Sequence, residues 1–243
     1  MRRLLVGMAA GGLIVAMLPG VSVAKVTTPD LRTCIAEAKD VMGSAFDIAN
    51  YTHIFLGTNG DDYFWGGWHP AGVALYCLFD GNDFVDGYPS NGAVIVGGAG
   101  DDQVHVLPTG GTFIGGPGND ATYSSNADSV FYGGPGNDHS YSSAGTFYGG
   151  PGDDSVGTLE SGGLFIGGAG NDSVGDMVSC QPGCAFFGGP GADRVENLGD
   201  GTFYGGPGDD SVGNLRTGGT FYGGPGYDTV DVRIGGTFIP GRQ

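Results

Sequence analysis

Ten times along this chain an aspartate closes a glycine-rich turn, and in eight of those turns the motif is a strict GGxGxD. The strict copies begin at Gly97, Gly115, Gly133, Gly149, Gly167, Gly188, Gly205 and Gly223. They end in Asp102, Asp120, Asp138, Asp154, Asp172, Asp193, Asp210 and Asp228. Two degenerate copies precede them, Gly57-Thr-Asn-Gly-Asp-Asp62 and Leu78-Phe-Asp-Gly-Asn-Asp83, and add Asp62 and Asp83 as weaker candidates. A carboxylate is a hard, charged oxygen donor. A glycine turn can aim several backbone carbonyls at one point, because no Cβ blocks the approach. Calcium takes six to eight oxygens and accepts carboxylates and carbonyls alike, whereas magnesium demands a near-ideal octahedron and keeps its water. The chemistry these residues suit is calcium binding.

The elements that must hold the turns follow from their spacing. Successive motifs start 18, 18, 16, 18, 21, 17 and 18 residues apart. A period in this range is the signature of a solenoid. In the unit from Gly149 to Ile166, the motif turn leads into a short strand with Val156 inward. A second turn, Glu160-Ser-Gly-Gly163, leads into a second strand with Phe165 inward. The same phase recurs down the chain. Val104, Val156, Val174, Val195, Val212 and Val230 form one expected inward column. Phe113, Phe131, Phe147, Phe165, Phe186, Phe203, Phe221 and Phe238 form the other. Thr122 and Ser140 stand where valine is expected, and Tyr123 or Tyr141 is the alternative inward residue there. Stacking such coils about 4.8 Å apart lines up the aspartates. A column of like charges repels itself unless cations lie between its members. The bland alternative, aspartates that only satisfy their own turns, leaves that repulsion unanswered.

Over roughly residues 55 to 240 these motifs resemble the RTX, or haemolysin-type, calcium-binding repeat. The resemblance implies an all-β, right-handed parallel β-roll of about ten 18-residue coils. It implies ions shared between loops of neighbouring coils, with the motif glycines and aspartates as the site. RTX repeats usually carry the motif at both turns of a coil. Here it occurs once per coil, so one column is implied, with up to seven ions between eight strict loops. Many such proteins carry a toxin, protease or lipase domain. The segment outside the repeats, about thirty residues after processing, is too short for one.

Composition narrows the class. Fifty-three glycines have three usual causes: collagen, disorder or repeated turns. No Gly-X-Y period is present, and 14 Phe and 11 Tyr at regular intervals oppose disorder. A net charge of −17 argues against nucleic acid and anionic membranes as partners and suits a binder of cations.

Residues 1–24 read as a signal peptide: Arg2 and Arg3, then an apolar run, then Ser22-Val23-Ala24 at a cleavage site. The expected localisation is therefore secreted, extracellular or cell-surface, with no membrane span after processing. Residues 25–52 are expected to form a helical cap over the open end of the core, and 53–243 the solenoid. Thr28, Pro29 and Asp30 suit a helix start, and Leu31, Cys34, Ile35, Ala38 and Met42 share one face. Export makes disulfides plausible. The short Cys180-Gln-Pro-Gly-Cys184 loop predicts one, which leaves Cys34 with Cys77.

The function expected is a non-enzymatic, structural or adhesive one. A first alternative is an ice- or glycan-binding module presenting Thr112, Thr146, Thr202, Thr220 and Thr237, a column broken at Ser129, Leu164 and Ala185. A second is a small secreted enzyme using the 65–83 region, where Trp65, Trp68 and His69 could line a pocket. His53, His69, His105 and His139 match no catalytic or metal spacing.

Overall fold

The computed structural model describes residues 5–9, 12–16, 28–66, 72–180 and 183–241. Most of the signal peptide expected at 1–24, together with Trp68 and His69, lies outside them. From His53 onward the chain is a parallel β-solenoid. Each coil gives one strand to each of two sheets, one of 13 strands and one of ten among the described residues. Two strands before the solenoid, Leu5–Ala9 and Gly12–Ala16, pair antiparallel at the start of the larger sheet.

Register is in phase, so like lies beside like. Phe131 pairs with Phe113 and Phe147, and Val195 with Val174 and Val212. The seven phenylalanines of the inward column from Phe113 to Phe221 are fully buried. Their rings stack 4.5–4.9 Å apart with interplanar angles of 5–13°. Each buries enough apolar surface to contribute about 1.5–3 kcal/mol, and the ring spacing is the pitch of the coil.

The ten-strand sheet has a second inward column that simple alternation does not foresee. In Ser155–Leu159 both Val156 and Leu159 are buried, while Gly157 and Thr158 are not. The strand's pairing skips Gly157 on both sides, and the residue three positions after Val156 faces back into the core. Leu107, Met177, Leu198 and Leu215 occupy the same place in their coils. Thr122 and Ser140 do face inward, in register with Val104 and Val156. Tyr123 and Tyr141 point out, stacked on each other at 4.8 Å and exposed, so they do not replace the missing valines.

The helix spans Thr28–Met42 and is called α1. Gly43 follows at φ +59°, in the left-handed region that ends helices. The expected apolar face is the one that packs, but not over the end of the core. Cys34 and Ala38, flanked by Leu31, Ile35 and Met42, lie on the outer face of the larger sheet, against Leu56, Leu75, Cys77, Val94, Val96 and Ile114. The reason is local sequence. Ala74-Leu-Tyr-Cys-Leu78 and Val94-Ile-Val96 are apolar without alternation, the pattern of strands buried on both faces. The Cys34–Cys77 disulfide pins α1 there, with Cα atoms 5.8 Å apart, and Cys180–Cys184 closes the long coil.

Beyond α1 the same outer column carries Tyr148, Phe187, Tyr204 and Tyr222, each 38–42% exposed. Phe187, Tyr204 and Tyr222 stack in a ladder at 4.6–5.0 Å.

Candidate metal centre

Each motif turn is shaped by its glycines. The second and fourth positions hold positive φ, as at Gly116 (+108°) and Gly118 (+149°), which a side chain would strain. The first glycine is needed for another reason. A Cβ on Gly115 would collide with the Oδ2 atom of Asp120 and lie 2.7 Å from the carbonyl oxygen of Gly133, one coil on. The first glycine thus leaves a small niche floored by a carboxylate oxygen and a backbone carbonyl.

Every strict-motif aspartate except Asp228 is buried, and so is Asp83. Their two oxygens are not equivalent. Oδ1 accepts a hydrogen bond from the backbone N–H of the corresponding aspartate one coil earlier, at 2.6–3.2 Å from Asp83 through to Asp228. Oδ2 is buried without a hydrogen-bond partner in Asp83, Asp102, Asp120, Asp138, Asp154, Asp172, Asp193 and Asp210. The two readings set against each other in the sequence therefore divide between two atoms: one oxygen satisfies backbone across the coil gap, and the other is left over.

Burial dominates the electrostatics. It raises the carboxyl pKa to about 7 in Asp83, Asp138, Asp154, Asp193 and Asp210, to about 6 in Asp172, about 8 in Asp102 and about 9 in Asp120. The backbone hydrogen bond at Oδ1 pulls each value down, and neighbouring carboxylates, such as Asp138 beside Asp120, push it up. Buried oxygens that are unpaired and expensive to ionise fit a hard cation, which supplies the missing countercharge. Among the described residues no three His, Cys, Asp or Glu side chains converge on a point. An ion here would draw on one carboxylate per coil, with backbone carbonyls for the rest.

The degenerate loops part company. Leu78-Phe-Asp-Gly-Asn-Asp83 keeps the turn, because Phe79 takes the second position at φ +74° while packing beside α1. In the earlier loop, Thr58 stands in the second position and donates both its N–H and its hydroxyl to Oδ2 of Asp62. That oxygen is already occupied. Asp228, in the last coil, is only partly buried, and its Oδ2 accepts the Gly241 N–H at 3.3 Å.

A second ladder runs beside the first, through the exposed fifth position. Asp61, Asn82, Asp101, Asn119, Asn137, Asp153 and Asn171 each accept, through Oδ1, the N–H of the fifth residue of the following coil. These bonds run opposite in direction to the sixth-position bonds, so each turn is clasped both ways. No two adjacent coils carry aspartate at this position, which keeps like charges at least two coils apart. A model of the RTX calcium-binding nonapeptide repeat matches four copies, over residues 54–69, 94–106 and 114–156. Over those residues the chain carries RTX calcium-binding repeats. The strict loops from Gly167 onward lie outside the matched residues yet keep the motif, with positive φ at its second and fourth glycines. No curated protein and no solved structure matches the chain.

Of the residues raised for catalysis, Trp68 and His69 lie outside the described residues. Trp65 is exposed, and Asp83 is buried in the RTX column. Sequence reasoning missed a contact of 2.7 Å between Nδ1 of His139 and Oγ of Ser155. The backbone N–H groups of both residues bond to Asp120 and Asp138 carbonyls, so neither is available to hold an oxyanion.

Replacing Gly149 by alanine tests the niche. The new Cβ would meet Oδ2 of Asp154, although Gly149 itself has no positive φ to lose. The calcium midpoint of the Gly149→Ala protein should rise several-fold, whereas Ala substitution at Gly183, which has nothing within 4 Å, should leave it unchanged. Isothermal titration of the two variants decides the point.

Proposed function

We propose that the chain is a secreted, non-enzymatic solenoid with a structural or adhesive role at or outside the cell surface, ordered by a single column of calcium ions. The observation that carries this reading is the row of eight buried carboxylate oxygens without partners, repeating at the pitch of the coil. The RTX repeats support calcium as the ion, and the two disulfides suit an oxidising compartment. The adhesive element draws support from the open ladder of Tyr148, Phe187, Tyr204 and Tyr222, since exposed apolar patches mark contact surfaces.

The ice- or glycan-binding reading has less behind it. The outward column in register with Thr112 and Thr146 is broken at Val130, not Ser129, and then at Leu164 and Ala185, and Thr112 is buried. Thr202, Thr220 and Thr237 do lie on three consecutive coils.

Counting ions tests the proposal. Elemental analysis of dialysed protein should find about seven calcium ions per chain in the gaps between the eight strict loops, and about one more in the gap between them and the Asp83 loop. Asp83→Asn should lower the count by about one, because its Oδ2 is unpaired, and Asp62→Asn should not, because Thr58 already occupies that oxygen. A wild-type count of one or none would overturn the reading.

A further inference from the structure

Two consecutive coils abandon the apolar pattern on the ten-strand sheet. Strand Ala121–Ser125 turns Thr122 and Ser125 inward, and strand His139–Ser143 turns Ser140 and Ser143 inward. Thr122 lies between Val104 and Ser140, and Ser140 beside Val156. Ser125 lies between Leu107 and Ser143, and Ser143 beside Leu159. Three of the four are 0% exposed and Ser125 is 5% exposed, so four hydroxyls sit inside the core.

They do not satisfy one another. Thr122 Oγ1 donates to Ser140 Oγ at 2.9 Å and lies 3.1 Å from Ser125 Oγ. Ser140 Oγ reaches the Ser142 carbonyl only at 3.4 Å. Ser143 Oγ has no partner among the described residues, although it is buried and faces the same interior. A hydroxyl offers one donor and two acceptors, and a buried one left unpaired costs about 1–3 kcal/mol. Size points the same way. Serine for valine removes one heavy atom and serine for leucine two. Against the Val and Leu of neighbouring coils, these positions lack about five heavy atoms, room on the scale of one or two waters at about 30 Å³ each.

We propose that this hydroxyl cluster binds one or two ordered water molecules inside the solenoid, held by Ser143 Oγ together with the Ser125 and Ser140 hydroxyls. The site is polar, enclosed and offers the two to four partners a buried water needs. It divides the Val and Leu columns into an N-terminal and a C-terminal apolar block, while the phenylalanine stack runs unbroken past it.

Oxygen-17 magnetic relaxation dispersion on the full-length, calcium-loaded protein counts long-lived internal waters. Ser143→Ala, a truncation small enough to keep the fold, should remove about one. The double variant Ser140→Val/Ser143→Leu, which restores the pattern of the other coils, should remove all those held at the cluster. Ser155→Ala on the outer face should change nothing. Circular dichroism checks that each variant remains folded. Equal dispersion amplitudes in wild type, Ser143→Ala and the double variant would overturn the proposal and assign these hydroxyls to a dry core.

Discussion

In excess chelator at pH 8 the chain is expected to lose its β-sheet signal, and added calcium to restore it in one cooperative transition. The structure stacks eight buried aspartates at the coil pitch, each with one oxygen unpaired. Ionised neighbours about 5 Å apart repel by about 3 kcal/mol at an effective dielectric constant near 20. Burial adds a desolvation penalty to every one of them. Ordering a chain with 53 glycines adds an unusually large entropic cost. Opposing these terms is a core only a few side chains wide. Calcium removes the repulsion and turns binding free energy into folding free energy. Extracellular calcium sites work at about 10⁻⁴ to 10⁻³ M, so the chain should stay unfolded where calcium is well below that range. Asp154→Ala should move the calcium midpoint upward by about an order of magnitude. It deletes the unpaired oxygen and also the acceptor of the Asp138 N–H, and a charge-assisted hydrogen bond is worth about 1.5–3 kcal/mol. Glu160→Ala, on the exposed opposite turn, should not move it. A full β signal retained in chelator at pH 8 would end this account.

The repeat made most of this legible before any coordinates. Val156 and Phe165 recur at fixed phase, so the two sheets, their in-phase register and the aspartate column all follow from spacing. What escaped had local causes. Leu159 turns inward where the strand's pairing skips Gly157, and strict period-two alternation has no place for that skip. Its signal was present as Val-x-x-Leu or Val-x-x-Met in coil after coil, from Val104 to Leu215. The seat of α1 was readable too, in the unbroken apolar runs at Ala74–Leu78 and Val94–Val96, but an open solenoid end invites a cap and hid the flank. The division of labour between Oδ1 and Oδ2 could not be read at all. It depends on which side of the coil gap each carboxylate leans toward, and composition carries no trace of that. The difference between Asp62 and Asp83 follows from the same detail. A Thr58 hydroxyl occupies the first, and a phenylalanine at positive φ preserves the second.

Acid should substitute for calcium. In chelator, the β signal absent at pH 8 is expected to return as pH falls toward 5. The folded chain holds its column aspartates at pKa values of about 6 to 9, against an ordinary value of 3.8. A carboxyl raised in this way binds protons more tightly when folded than when unfolded. Its contribution to stability is therefore fully present below about pH 4, and it is lost as pH rises through the folded values. At pH 5 most of the column is protonated and neutral, while exposed carboxylates elsewhere keep the chain soluble. With calcium saturating, the same titration should be flat from pH 6 to 8, because the ions hold the carboxylates ionised. Between these limits protons and calcium compete, so the calcium midpoint should climb as pH drops. Asp154→Asn separates this mechanism from a general effect of acid. Asparagine keeps an oxygen to accept the Asp138 N–H and carries no charge. It should stabilise the calcium-free fold at pH 8 and weaken the calcium-loaded one, whereas Asp154→Ala weakens both. The triple variant Asp138→Asn/Asp154→Asn/Asp172→Asn should shift the chelator transition to higher pH by more than the single change. If acid fails to restore the β signal in chelator, or if Asp154→Asn and Asp154→Ala behave alike without calcium, the column is not the source of the calcium dependence.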